Sequence, residues 1–246
     1  MMETNEASDA NSPENSGTKE QEPADSYQFK DGHQGDYLDE LRQQLLVPTL
    51  NNAVFTGFTT KTYQEGALDA GLTKEDALIA WPHGADDIFA FWSSEADKAA
   101  VRFLTREGAA GRIRDRVTGA VWARLEYFEP HKEAARRAAN MLAFPLKQPL
   151  AAQLAWRSAD AIWTGLNDPS RDFNYYSKRG ILSAVISSTQ LRWLTDEAPN
   201  AEATREFLHA RIENVMQIEK FKARLKDLPF DPTSFIRTAA KARYRE

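Results

Sequence analysis

The sequence contains no cysteine, which excludes disulfides, thiolate metal sites and cysteine nucleophiles. Histidine is scarce: His33, His83, His131 and His209 are scattered along the chain. Only Glu206-x-x-His209 has a ligand-like spacing, and bundles that bind two irons need a second such pair plus further glutamates. That second pair is missing, so an exposed Glu and His one turn apart is the simpler reading. None of the 12 glycines builds a Gly-rich strand-to-helix loop for a dinucleotide or nucleoside triphosphate. No local signature supports a nucleophile elbow or triad. No apolar run approaches the roughly 18 residues that cross a bilayer. Nor is there a basic excess, since the formal net charge is −5. The sequence proposes no catalytic cluster, metal site or cofactor.

What charge there is lies unevenly. Residues 1–35 carry eight acids against two bases and almost no aliphatic side chains. Such a segment cannot offset its ordering entropy, so residues 1–35 read as a disordered acidic tail. It has neither the apolar core of a secretory signal nor the arginines of a transit peptide. The rest of the chain is close to neutral, without the electrostatic footprint of a nucleic-acid binder.

From Asp36 onward the pattern is helical. Leu38, Leu41, Leu45 and Leu46 recur at helical spacing, and Pro48 predicts an end or a bend. Thr59 or Thr60 is placed to cap a second helix that stops at Gly71. Thr73 and Asp76 form a near capping box for a short third one, closed by Pro82 and Gly84. Residues 36–84 therefore predict a three-helix unit of helix-turn-helix type. Its last helix sets Lys74 against Glu75 and Asp76, a poor phosphate footprint. Longer helices follow, including one with a stripe of Ile113, Val117, Val121, Leu125 and Phe128. Another carries Leu150, Leu154, Ser158, Ile162 and Leu166, and a late one carries Phe207, Ile212, Val215 and Ile218. Nothing alternates at period two, so the fold is predicted to be all-α, a larger helical bundle over residues 85–226.

Within the bundle, "DFNYYSKRGILSAVISS" at residues 172–188 is unusual. Asp172 or Asn174 is placed to cap it, with Phe173 packing beside the entry. Tyr175, Arg179, Leu182, Ile186 and Trp193 recur on one side. Tyr176, Gly180, Ser183, Ala184 and Ser187 lie around another. Both sides are poor in charge, which predicts a central helix covered nearly all round. Plain core or subunit-interface packing is one reading, and a slender apolar ligand lying along the small residues is the other. Trp156 and Trp163, seven apart on the preceding helix, fit either. At the carboxyl end, residues 231–246 form a basic amphipathic pattern. Phe235, Ile236 and Ala239 mark one side, and Arg237, Lys241 and Arg245 the other. An anionic membrane surface suits it, as does docking on its own bundle.

Together these residues carry a likeness. From about Tyr37 to Lys222 the chain resembles the coenzyme Q (ubiquinone) biosynthesis accessory protein family. The main match is "DPSRDFNYYSKRGILSAVISST", with Asp172, Phe173, Asn174, Tyr176, Lys178 and Arg179. Upstream, "LAFPLKQPLAAQLAWRSADAIW" adds Asp160 and Trp163. The resemblance implies a TetR-repressor-like fold and a non-catalytic, homodimeric, lipid-binding accessory protein. Its ligand would be an isoprenoid quinone precursor or a phospholipid in an apolar cavity. Candidate lipid contacts are Trp156, Trp163, Tyr175, Tyr176, Gly180, Ser183, Ala184 and Ser187. It further implies a partner, the demethoxyubiquinone hydroxylase, met through Asp160, Trp163, Asp172, Phe173 and Asn174. The terminal helix would engage the membrane through Phe235, Ile236, Arg237, Ala239, Lys241 and Arg245. Family members in mitochondria carry transit peptides. The acidic tail here instead favours a cytoplasmic protein at the inner face of a bacterial inner membrane. Ala161 stands where the family pairs a second Asp with Asp160. Two other classes remain: a TetR-type ligand-responsive transcriptional regulator, and a stand-alone enzyme of quinone metabolism. Nucleic acid is not an expected partner.

Overall fold

A computed structural model describes residues 31–106 and 110–227. Among them are nine α-helices, three single 3-10 turns and no strand. The first helix, α1, runs Asp31–Thr56, starting inside the segment read as tail and continuing through Pro48. An internal proline removes one backbone hydrogen bond and clashes with the preceding turn, at about 3 kcal/mol. Here Leu45, Leu46 and Leu50, all within 4% of full burial, flank Pro48 and offset that cost by packing. Of the end or bend expected at Pro48, the end does not occur.

Helix α2 (Thr60–Asp69) starts as the sequence predicts. Thr59 Oγ1 accepts from the Thr62 N–H at 3.3 Å, and the Thr59 N–H donates to Thr62 Oγ1 at 3.3 Å. Gly71 turns the chain at φ +74°, a conformation other residues adopt at a cost. In α3 (Lys74–Ala80) the Asp76 carboxylate accepts from the Thr73 N–H at 2.9 Å, completing the capping box. The α1–α2 contact is tight because residue 66 is glycine. A Cβ there would lie 2.8 Å from the backbone nitrogen of Thr49.

The remaining helices are α4 (Ala85–Thr105), α5 (Ile113–Phe128), α6 (Lys132–Leu142), α7 (Gln148–Gly165), α8 (Asp172–Leu194) and α9 (Glu202–Asp227). Two buried clusters hold them. One joins α1–α3 to α4 and α6, with Phe58 edge-on to Phe89 at 4.7 Å and Trp81 beside Phe91 at 5.6 Å. The other lies among α4, α5, α7, α8 and α9 around Leu104, Val121, Ile162 and Leu208, each at most 1% exposed. Ile113, expected in the α5 stripe, is 50% exposed because it opens the helix. The terminal pattern at residues 231–246 and nearly all of the acidic tail lie outside the described residues.

Candidate functional site

Alanine is the clue to the site. Helix α6 presents Ala135, Ala138 and Ala139, and α7 presents Ala151 and Ala155, where larger side chains would close the space between helices. The result is a cavity of about 390 Å³ between α4, α5, α6, α7 and α8. Phe89, Trp92 and Phe128 wall one side, and Leu154 and Ile186 another. The rim holds Leu142, Ala143, Gln148 and Leu191, the last 60% exposed. Just beyond, Phe144 and Leu146 project at 66% and 93% exposure. Lys147 anchors this turn to α4 through an ion pair with Asp86 at 2.7 Å.

One part of the wall is polar. Arg124, 4% exposed, donates from Nε to Asp97 Oδ1 at 2.8 Å, from Nη2 to Ser93 Oγ at 2.8 Å and from Nη1 to Gln190 Oε1 at 3.0 Å. Its guanidinium also lies 5.0 Å from the Phe128 ring centre. Sequence reading passed over this group. The signal was available: Arg124 falls three residues after Val121 and seven after Val117, inside the apolar stripe of α5.

A second cluster joins α7 to the start of α8. Arg179 Nε donates to Asp160 Oδ1 at 2.5 Å, and the Tyr175 hydroxyl donates to the same oxygen at 3.2 Å. The Arg179 guanidinium stacks 3.4 Å over the Tyr175 ring. Trp163 donates its indole N–H to the Lys178 carbonyl at 3.2 Å, while the Lys178 ammonium sits 5.0 Å from the Trp163 ring and bonds Asp168 at 2.8 Å. Burial pushes the Asp168 carboxyl up. Hydrogen bonds from Lys178 and Ser170 outweigh it and hold the group below the usual carboxylate range. Trp156 stacks on Tyr176 at 6.2 Å.

The sequence-predicted residues thus separate. Of the eight candidate lipid contacts only Ser187 lines the cavity. Trp163 and Tyr175 belong to the second cluster, and Tyr176, 64% exposed, borders it on the surface. Ser183 bonds back to the Ala155 carbonyl at 3.2 Å. Gly180 and Ala184 are exposed, and a Cβ on Gly180 would meet nothing within 4 Å. Within the single chain α8 is therefore not covered all round. Its low charge comes from small residues on an open face, which periodicity cannot distinguish from a buried one. Nor do Asp172 or Asn174 cap α8. The N-cap is Arg171, extended at φ −131°, and the helix has already begun at Asp172. Asn174 is exposed within the first turn, and the side chains of Asp172 and Phe173 lie outside the described residues.

Residues 148–219 match the COQ9 family model. The chain is 28% identical over 188 residues to ubiquinone biosynthesis protein COQ9, mitochondrial, of Homo sapiens, covering 73% of this chain and 59% of that protein. It is 29% identical over 189 residues to ubiquinone biosynthesis protein COQ9-A, mitochondrial, of Xenopus laevis, covering 72% and 58%. The chain spans about three fifths of the length of these curated relatives. In structure it is similar to a TetR transcriptional regulator from Nitrosomonas europaea ATCC 19718. The TM-score is 0.58 at 14% identity, over 71% of this chain and 97% of that one. That likeness shows the fold alone. The sequence expectation is met on both counts: the fold is all-α and TetR-like, and through α7, α8 and most of α9 the chain carries the COQ9 sequence pattern.

Proposed function

We propose that this protein is a non-catalytic, lipid-binding accessory protein of ubiquinone biosynthesis. It takes up an isoprenoid quinone precursor or a phospholipid and presents it to the demethoxyubiquinone hydroxylase. The observation that carries the reading is the alanine-lined apolar cavity, found in a chain whose relatives are named for ubiquinone biosynthesis. Each CH₂ buried from water gains about 0.8 kcal/mol, so a dry cavity holds an isoprenoid chain without elaborate polar recognition. Lipid passing from bilayer to cavity moves between two apolar surroundings, at little net cost.

The hydrogen-bonded surface around Asp160, Trp163, Tyr175 and Asn174 is the face we assign to the hydroxylase. The amphipathic pattern of residues 231–246 supports engagement of an anionic membrane, at the inner face of a bacterial inner membrane. No helix among the described residues is long and apolar enough to cross one. We further propose that the protein is a homodimer. A second reading, a TetR-type ligand-responsive regulator, follows from the fold likeness. Against it stands the weak phosphate footprint of α3.

Native mass spectrometry of purified protein, with extraction and identification of released lipid, tests the proposal. About one isoprenoid or phospholipid per subunit is expected. Protein that is empty, and that also fails to take up added quinone precursor, would overturn it and make duplex binding the next assay.

A further inference from the structure

The polar part of the cavity wall has a chemistry of its own. Arginine has five N–H donors and no acceptor. Arg124 uses three of them on Asp97, Ser93 and Gln190, leaving one on each terminal nitrogen. Because arginine only donates, Gln190 turns its carbonyl oxygen toward Arg124. Its NH₂ finds no protein acceptor among the described residues. Ser93 accepts from Arg124 through Oγ, and its own proton has no protein acceptor among the described residues. All three residues line the cavity. The spare hydrogen-bonding capacity at this wall is therefore mainly donor.

Charge narrows the partner further. Arg124 and Asp97 neutralise each other within a pair whose side chains are 5% and 11% exposed. A second negative charge placed here would be desolvated without a counter-ion of its own. A neutral oxygen acceptor, such as a ring carbonyl, meets no such cost. Volume sets the direction of entry. At about 390 Å³ the cavity is at the small end of ligand sites, which run from about 300 to 1,000 Å³. It has room for a head group and the first part of a chain, and a long tail must leave through the apolar rim.

We propose that the cavity takes its lipid head first. Arg124, Gln190 and Ser93 donate to a neutral carbonyl oxygen of the head group, and the tail leaves past Leu142 and Leu191. This rests on the lipid-binding reading above. It adds what that reading leaves open: the head group's chemistry and its orientation.

The test offers the full-length protein three detergent-solubilised probes at equal concentration: an isoprenoid benzoquinone, the hydrocarbon squalene, and a polyprenyl phosphate. Capture is read by native mass spectrometry for wild type, Gln190→Leu and Ser93→Ala. Wild type is expected to favour the quinone over squalene. Each variant should lower the quinone-to-squalene ratio about fivefold, the worth of one neutral hydrogen bond, while still binding squalene. Retained squalene binding also shows that the variant is folded. An unchanged ratio in both variants overturns the head-first proposal and leaves lipid binding standing. Preferential capture of the phosphate overturns it too, in favour of an anion site. If wild type captures none of the three and carries no co-purified phospholipid, the lipid-binding reading itself fails.

Discussion

Two glycines in helices should respond in opposite directions to the same substitution. In an open helix interior, Gly→Ala stabilises by about 1 kcal/mol, because alanine loses less backbone freedom on folding. Gly180 offers that case: a methyl group would meet nothing within 4 Å. At Gly66 the methyl would lie 2.8 Å from Thr49 N, 2.9 Å from its Oγ1 and 3.0 Å from its Cα. Two of these are backbone atoms of a buried helix, so α1 and α2 must move apart. Overpacking of this kind costs about 1–3 kcal/mol, and a backbone clash belongs in the upper half of that range. Subtracting the propensity gain leaves Gly66→Ala destabilised by about 1–2 kcal/mol and Gly180→Ala stabilised by about 1 kcal/mol. For a chain of this size each kcal/mol moves Tm by about 2–4 °C. Urea melts of the two variants beside wild type, read by circular dichroism, give both signs. A Gly66→Ala protein as stable as wild type would refute the close approach of α1 and α2. A destabilised Gly180→Ala protein would refute the open face of α8 and indicate that a second subunit packs there.

Removing Arg124 should strand the Asp97 carboxylate. Arg124→Leu is expected to cost about 3 kcal/mol, and the double variant Asp97→Leu/Arg124→Leu to recover most of it; a double-mutant cycle by chemical denaturation checks this. Asp196 accepts from the Thr204 hydroxyl at 2.7 Å, the Thr204 N–H at 2.8 Å and the Ala198 N–H at 3.1 Å. These bonds, the Thr204 hydroxyl foremost, hold its carboxyl below the usual range. Its contribution is therefore complete above the unfolded-state value of about 3.9 and is lost as pH falls through the lower folded-state value. Asp196→Asn should lower stability at neutral pH and flatten the acid end of the stability–pH curve, measured by denaturant melts from pH 2 to 7. Phe235→Asp should weaken binding to anionic liposomes in a flotation assay without changing the melt of the soluble protein, and unchanged liposome affinity would remove the membrane proposal.

Local signals in the sequence carried far. The Thr59 and Thr73 caps and the Gly71 turn depend on residues a few positions apart, and all stand where the pattern put them. The continuation of α1 through Pro48 depends on leucines meeting distant helices, so local propensity misjudged it. The cavity was hidden for the same reason. A void is made by what five helices fail to fill, and no single stretch records it. The alanines of α6 and α7 read as ordinary helix formers until they face one another. Arg124 sat in view within an apolar stripe, but only its meeting with Asp97, Ser93 and Gln190, 27 to 66 residues away, gives it a meaning. The Asp160–Arg179 pair lay in the quoted motifs, although its geometry did not.

The buried cluster that crosses from α1–α3 into α4 and α6 has a consequence for how this protein comes apart. Trp81, wholly buried, closes the amino-terminal unit and packs on Phe91 of α4, while the Arg42 side chain bonds the Ala80 carbonyl at 3.0 Å. Cutting the chain after Gly84 would bare these aromatic surfaces on both pieces at once. Neither piece would keep a closed interior, so cooperativity extends across the boundary between the three-helix unit and the larger bundle. Heat or denaturant should then release the indole of Trp81 and that of Trp193, at the far side of the same cluster, in a single transition.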